Sequence, residues 1–167
     1  MLKFSGTVEG ETQLLRSFEG FTEGVTNLEP AFEEIGIDVR EILTEQFAHE
    51  GFGWKPLSPA YAIQKRRLFG DKPILRATDR MFLSLTNKGA DGNITDIHPM
   101  EASYGTSVKS KTGFSYPRAH QTGTSRMPQR KIFALTEANK RRITRTMQRH
   151  LVKTARGAGL NVQSALI

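Results

Sequence analysis

The sequence predicts an α+β fold in which helices pack on a small antiparallel sheet. Residues 28–49 and 137–155 carry apolar side chains at three- and four-residue steps, which is typical of amphipathic helices. Between them, 94–98 and 102–108 form two short apolar-polar segments around the turn Pro99-Met100-Glu101. We therefore expect long flanking helices, the last of them basic, around a strand pair, with extended arms as an option.

The length of 167 residues suits one domain with a single core. We expect that domain to span 1–157, with an acidic helical part at 1–50 and a basic part at 51–157. Residues 158–167 are small and mildly apolar, and we interpret them as a C-terminal tail.

The N-terminal part predicts one strand and two helices. Residues 2–8 alternate as a strand does, and 11–22 place Leu14, Leu15, Phe18 and Phe21 on one side of a short helix. Residues 28–49 are the main helix, with Pro30 in its first turn and Gly51 as its stop.

The middle part predicts two shorter helices. Ser58 followed by Pro59 resembles an N-cap with proline at the first helical position, opening a helix that runs to about Leu68. That helix carries apolar Tyr61, Ile63 and Leu68 and the cationic cluster Lys65-Arg66-Arg67. Residues 74–85 read as the second helix, with Leu75, Met81, Phe82 and Leu85 facing inward.

The last predicted helix begins after Thr136, a natural N-cap, and ends near Ala155, with Gly157 as its C-cap. Its cations could contact DNA or a neighbouring subunit: Lys140, Arg141, Arg142, Arg145, Arg149 and Lys153. A solvated helix face is the plain alternative. Against DNA binding, the chain shows no helix-turn-helix spacing and no interleaved aromatic residues.

Charge is divided unequally along the chain. Residues 1–50 hold three Lys/Arg against eleven Asp/Glu, a net charge of −8, whereas 51–167 hold twenty-one against six, a net charge of +15. Such asymmetry indicates a basic face for a polyanion, or a protomer whose acidic face meets the basic face of the next copy. Simple solubility is the third explanation.

Several function classes find no support in the residues. The chain has no cysteine, no GxSxG, HExxH or GxxxxGK[ST] motif, and four scattered histidines, so we expect neither an enzyme nor a metal or cofactor site. Its apolar runs are too short to span a bilayer, and its N-terminus has no signal-peptide core. We expect a soluble protein made in a reducing cytoplasm, with no membrane partner.

The segment 116–135, YPRAHQTGTSRMPQRKIFAL, is the candidate docking segment. His120 could be a titrating switch, but a turn histidine that hydrogen-bonds neighbouring backbone is the favoured interpretation. Trp54, the one tryptophan, is either a core plug or an interface anchor. The candidate interface residues are Tyr116, Arg118, His120, Gln121, Gly123, Pro128, Arg130, Phe133 and Trp54, with Arg126 as a further cation of the segment.

Four sequence blocks follow one another in the middle of the chain. The first contains Phe47, Glu50-Gly51, WKPLSP at 54–59 and Tyr61, and the second contains ILRATDRM at 74–81 with Ser84-Leu85. The third is YGTS at 104–107, and the fourth is YPRAHQTG at 116–123 with MPQR at 127–130. In this order the four blocks resemble the phage virion morphogenesis family, which includes a tail-assembly protein of phage Mu, and more distantly the tail completion proteins of long-tailed phages. The resemblance covers about Phe47 to Thr136, just over half of the chain.

Two positions depart from the family pattern. Asp79 stands where the family has glycine, so we expect a continuous helix there rather than a tight turn. Lys131-Ile132-Phe133 replaces the usual Pro-Phe-Leu, which leaves the exit from the fourth block open.

The resemblance implies a non-enzymatic structural protein of the virion at the neck or top of the tail, assembled in the host bacterial cytoplasm. It implies an α+β fold, a homo-oligomeric ring, and contacts with the connector or stopper, the tail terminator, the tail tube and DNA passing through the lumen. A ring needs heterologous contacts, which the charge asymmetry could supply. The alternatives are a tail terminator or other tail ring protein, a tail tube or baseplate subunit, and a small DNA-binding protein using the basic C-terminal helix.

Overall fold

The computed structural model describes residues 10–51 and 53–162 and has the expected α+β architecture. Within these residues it contains one antiparallel strand pair, β1 (Asn93–His98) and β2 (Glu101–Thr106), and six helices: α1 (Glu11–Thr26), α2 (Glu29–Ala48), α3 (Pro59–Phe69), α4 (Arg80–Thr86), α5 (Tyr116–Thr122) and α6 (Glu137–Gly157). The strand predicted at 2–8 lies outside the described residues.

Helix α2 is the element on which the other parts pack, as its apolar spacing predicts. Pro30 lies in its first turn, and the chain leaves the helix through Gly51, whose N–H donates to Gln46 O at 2.7 Å. Its inner face contributes Leu43 and Phe47 to a core cluster that also contains Trp54, Ile74, Met81, Leu85, Val108 and Ile132. The core therefore draws on segments far apart in the sequence.

The strand pair lies against α2 and α4. Asn93 pairs with Thr106 at one end of the sheet and His98 with Glu101 at the other, around the predicted turn. The hydroxyl of Tyr104 on β2 donates to Phe32 O on α2. A Cβ at Gly36 would lie 2.9 Å from the Tyr104 ring, so this glycine allows the close approach of helix and sheet.

The prediction of one continuous helix over 74–85 is wrong. Residues 74–79 form turns, and α4 begins only at Arg80. Asp79 adopts a left-handed conformation with φ 59°, and Leu75 does so with φ 63°. Asp79 thus adopts a backbone conformation that glycine reaches easily, and for a residue with a Cβ this conformation costs about 1 kcal/mol or more of stability.

Helix α6 packs along α2 and also contacts α1. Thr136 caps it as predicted, accepting from the Asn139 N–H at 3.2 Å. The C-cap prediction for Gly157 is wrong, because Gly157 is the last helical residue and Ala158 follows as the cap. Helix α1 approaches α6 through small residues, with Gly24 directly against the Thr154 methyl group.

Helix α3 opens as predicted, with Ser58 Oγ accepting from the Tyr61 N–H at 3.4 Å and Pro59 in the first turn. Only Lys65 of this helix is buried. Its ammonium group donates to Pro73 O at 2.8 Å and to Lys72 O, and burial lowers the pKa of Lys65. The predicted cationic cluster therefore divides into one internal lysine and two surface arginines.

Candidate functional site

The four sequence blocks come together as one hydrogen-bonded unit. Glu50 of the first block accepts from the Ile74 N–H of the second at 2.8 Å. Ser84 of the second block shares a 2.7 Å hydrogen bond with Thr106 of the third. We call this unit, with the adjoining Gln46 and Lys131, the block unit; it comprises 46–51, 53–61, 74–85, 104–107 and 116–131. These two hydrogen bonds join residues 24 and 22 positions apart in the chain.

Trp54 and Arg130 attach the fourth block to the first. The indole N–H of Trp54 donates to Lys131 O at 2.9 Å, and Gln46 Nε2 donates to the same oxygen at 2.7 Å. Arg130 is only 6% exposed, and its Nε and Nη2 donate to Lys55 O at 2.8 Å and Pro56 O at 3.1 Å. An arginine in this role fastens two chain segments together inside the protomer.

Gln121 joins the beginning of the docking segment to its end through side-chain hydrogen bonds. Its Oε1 accepts from the N–H groups of Ile132 at 2.8 Å and Phe133 at 2.9 Å, and its Nε2 donates to Phe133 O at 3.1 Å. Gly123 ends α5 with φ 75°, and a Cβ there would meet Gln129 at 3.2 Å. The segment is therefore a short helix followed by a returning loop, with glycine required at the bend.

A cleft of about 230 Å³ opens between the first, second and fourth blocks. Its apolar wall includes Leu57, Leu75 and Met81, and its polar wall includes Tyr61, Lys65, Asp79, Arg80, Tyr116, His120 and Arg130. Tyr116 and His120 are the docking-segment residues that reach it from α5. We call it the block cleft.

His120 is neutral at physiological pH. Burial, and secondly the nearby charge of Arg130, lower the pKa of His120 to about 4. Its Nδ1 is buried and finds no hydrogen-bond partner among the described residues. The favoured interpretation, a side chain bonded to neighbouring backbone, is therefore wrong for Nδ1, and a switch near pH 7 does not fit the pKa.

Asp79 supplies the carboxylate of the block cleft, and each of its two oxygens accepts a hydrogen bond from a cationic side chain. Arg76 Nε donates to Asp79 Oδ1 at 2.8 Å and Lys72 Nζ donates to Oδ2 at 2.7 Å. The hydrogen bond from Arg76 is the main cause that holds the pKa of the Asp79 carboxyl below its usual value. A carboxylate stabilised in this way is a poor proton acceptor, and it serves here to fix an unusual backbone conformation.

The basic face of α6 meets the acidic face of α2 within the same protomer. Arg142 donates to Asp38 at 2.8 Å and also to Glu41, and Thr146 donates to Asp38 at 2.6 Å. Arg149 reaches Glu34 at 3.4 Å. We call this the α2–α6 seam. Some of the acidic side chains of the N-terminal part are consequently paired with basic side chains of the C-terminal part within one protomer.

The remaining predicted cations of α6 are distributed differently. Lys140 pairs with Glu137 at 2.7 Å one turn earlier on the same helix, whereas Arg141 and Lys153 are exposed. Arg145 also makes an interaction of its own. The helix does not present all six cations as one DNA-binding face, because Arg142 is paired with Asp38 and Glu41 of α2, whereas the exposed 3.4 Å contact with Glu34 holds Arg149 only weakly.

The structure separates the predicted interface residues into two groups. Exposed or half-exposed are Tyr116, Arg118, His120, Gln121, Gly123, Arg126, Pro128 and Phe133. Trp54 and Arg130 are buried, at 8% and 6% exposure, so their prediction as interface residues is wrong. Both side chains instead hold segments of the same protomer together through hydrogen bonds. Of the two interpretations of Trp54, the core plug is the one that its position supports.

Two residues of the site, Gln46 and Lys65, were not predicted as site residues, whereas Glu50 was named as part of the first block. Gln46 lies three and four positions after the buried residues Leu43 and Ile42, and this helical spacing was a usable signal for a buried glutamine. Nothing in the local pattern distinguishes Lys65 from the two arginines that follow it. Its burial depends on the turn at 70–73 folding back over α3.

No group of three or more His, Asp or Glu side chains among the described residues is arranged to hold a metal ion. Within 10–51 and 53–162, no helix has the length and apolar character that crossing a membrane requires. Comparison of the chain with protein-family models, curated proteins and solved structures returns no match.

Proposed function

We propose that this protein is a structural component of a phage virion, a tail completion protein that forms a ring at the neck and joins the tail to the head connector. The observation that carries the proposal is the convergence of the four family-like blocks on one bonded unit. The four blocks occur in the order of the family and are bonded to one another, which supports the resemblance. Here each one contacts another through side-chain hydrogen bonds.

The block unit also has the properties that an assembly scaffold needs. Its internal contacts use backbone carbonyls as acceptors for Trp54, Gln46 and Arg130, which fixes the loops rather than leaving them to close over a substrate. The charged side chains of the block cleft are already engaged in ion pairs or backbone hydrogen bonds, as Asp79 and Lys65 show. A rigid surface of this kind suits docking to protein partners.

The test is genetic and uses the phage or prophage that carries the gene. Inactivating the gene should leave filled heads and finished tails unjoined in electron micrographs, and a plasmid-borne copy should restore joined particles. Mass spectrometry of purified virions should find the protein in the particle. Intact, infectious virions assembled without the protein would refute the proposal. A tail terminator, the nearest alternative, would instead give tails of irregular length.

A further inference from the structure

Helix α3 is exposed almost all round, although it carries large apolar side chains. Tyr61, Ile63, Leu68 and Phe69 are 47%, 73%, 62% and 37% exposed, and Lys65 is the only buried residue. An isolated helix of eleven residues is marginal in water, because its backbone order is not offset by packing. Ile63, the most exposed of them, lies beside Arg66 and Arg67 on one side of the helix, and an exposed apolar side chain bordered by cations suits a binding surface.

Helix α1 also exposes large apolar side chains, and its net charge is opposite in sign to that of α3. It has no buried residue, and Leu14, Leu15 and Phe18 are 52%, 56% and 51% exposed. Small residues face α6, with Gly20 against Ala158 and Gly24 against Thr154, so the large apolar residues are left outward. The predicted apolar side of this helix exists but does not enter the core.

The charges around the two apolar surfaces are complementary. At 100° per residue, Glu11 and Glu19 border the Leu14–Leu15–Phe18 surface of α1. On α3, Arg66 and Arg67 lie one turn beyond Ile63, and a shallow groove runs between these three residues and Ala62. Arg66 has only a long 3.4 Å contact with Asp71, an exposed side chain. A surface ion pair of this kind holds the arginine weakly.

We propose that α1 of one copy docks on α3 of a second copy, with Leu14, Leu15 and Phe18 covering Ile63 and Glu11 and Glu19 meeting Arg66 and Arg67. The occupant is a second copy because one chain carries both halves of the match. A polyanion such as DNA would leave Ile63 uncovered. The two surfaces differ, so the contact is heterologous and repeats from copy to copy, closing a ring or extending a filament.

This contact rests on the self-association that the proposed function requires, but it uses surfaces outside the docking segment and α6. Apolar burial between α1 and α3 would supply most of the affinity, and the charges would supply register and a dependence on salt. The residues of the α2–α6 seam do not belong to these two helices, which explains how a protomer can satisfy many charges internally and still present two unlike surfaces.

The experiment measures self-association of the full purified chain by light scattering and native mass spectrometry across a concentration series at low salt. Arg66→Glu with Arg67→Glu should weaken association at least ~10-fold, and Glu11→Lys with Glu19→Lys should do the same. Combining all four substitutions in one chain should restore association to within ~3-fold of the unsubstituted protein, because reversed charges meet again. Ile63→Ser should weaken it at every salt concentration.

The control is Lys109→Glu with Lys111→Glu, which changes the net charge as Arg66→Glu with Arg67→Glu does, but at exposed lysines outside both surfaces. This control should leave association unchanged. All these positions are exposed, so circular dichroism and thermal unfolding should match the unsubstituted protein. A monomer at every concentration, or a fourfold variant no better than its parents, overturns the α1–α3 contact. Neither result decides the neck function, whose readout is the joining of heads to tails.

Discussion

Replacing Arg130 by methionine tests whether the docking segment is fastened to the core by its arginine. The guanidinium group is 6% exposed and donates to Lys55 O at 2.8 Å and Pro56 O at 3.1 Å. A hydrogen bond from a charged donor contributes roughly 1.5–3 kcal/mol, and removing a buried cation recovers part of its desolvation cost. Methionine nearly preserves the volume, so we expect the free energy of unfolding to fall by about 2–4 kcal/mol.

Urea denaturation followed by circular dichroism measures the loss directly. Arg118→Met is the matched control, because Arg118 is exposed on the same segment, and it should change the free energy of unfolding by less than about 0.5 kcal/mol. Equal stability of the two variants would show that the Arg130 hydrogen bonds contribute nothing net, and the fastening role would be wrong.

The same variant has a second, independent readout at His120. The charge of Arg130 adds to burial in lowering the pKa of His120 to about 4. Arg130→Met should therefore raise that pKa, while burial keeps it below the ordinary value of about 6.5. Proton NMR titration of the histidine rings reads the change, and Arg118→Met should leave the titration where it is. An unmoved pKa in the folded variant would contradict the proximity of the two side chains.

Four further outcomes follow from individual contacts. Because folding lowers the pKa of His120 to about 4, the unfolded chain binds a proton first, so stability should fall as pH drops from about 6.5 to 4, and His120→Gln should flatten that fall in pH-dependent urea titrations. Asp79→Gly should be about 1 kcal/mol more stable than Asp79→Ala in thermal unfolding, since both lose the ion pairs but only glycine relieves the left-handed backbone. In Gly51→Ala, a Cβ would lie 2.2 Å from the Trp54 ring, so a loss above ~2 kcal/mol and a shifted fluorescence of that sole tryptophan are expected. Asp38→Asn should cost about 1–3 kcal/mol and reduce the salt dependence of unfolding, and unchanged salt dependence would deny the α2–α6 seam a role in stability.

Much of the secondary structure could be predicted because local chemistry governs it. The apolar spacing of α2, the caps Ser58 and Thr136, and the turn at Pro99 each act within a few residues. The site was predicted only in outline. Its blocks were found as motifs, but their mutual contacts, such as Ser84 with Thr106, join residues that no periodicity relates.

The sequence by itself determined the type and order of most elements, though not α5 or the start of α4, together with the asymmetry of charge, because these follow from spacing and composition. Tertiary structure alone decided which charges are free to act. Lys65 and Arg130 turn inward to backbone carbonyls, and Arg142 turns to α2 rather than to a neighbour. It also decided that α1 and α3 keep their apolar faces outward. The physical reason is that the partner of a side chain depends on which distant segment folds over it. A cation that becomes buried must pair with acceptors inside the protein, and it then links chain segments instead of acting as a surface charge.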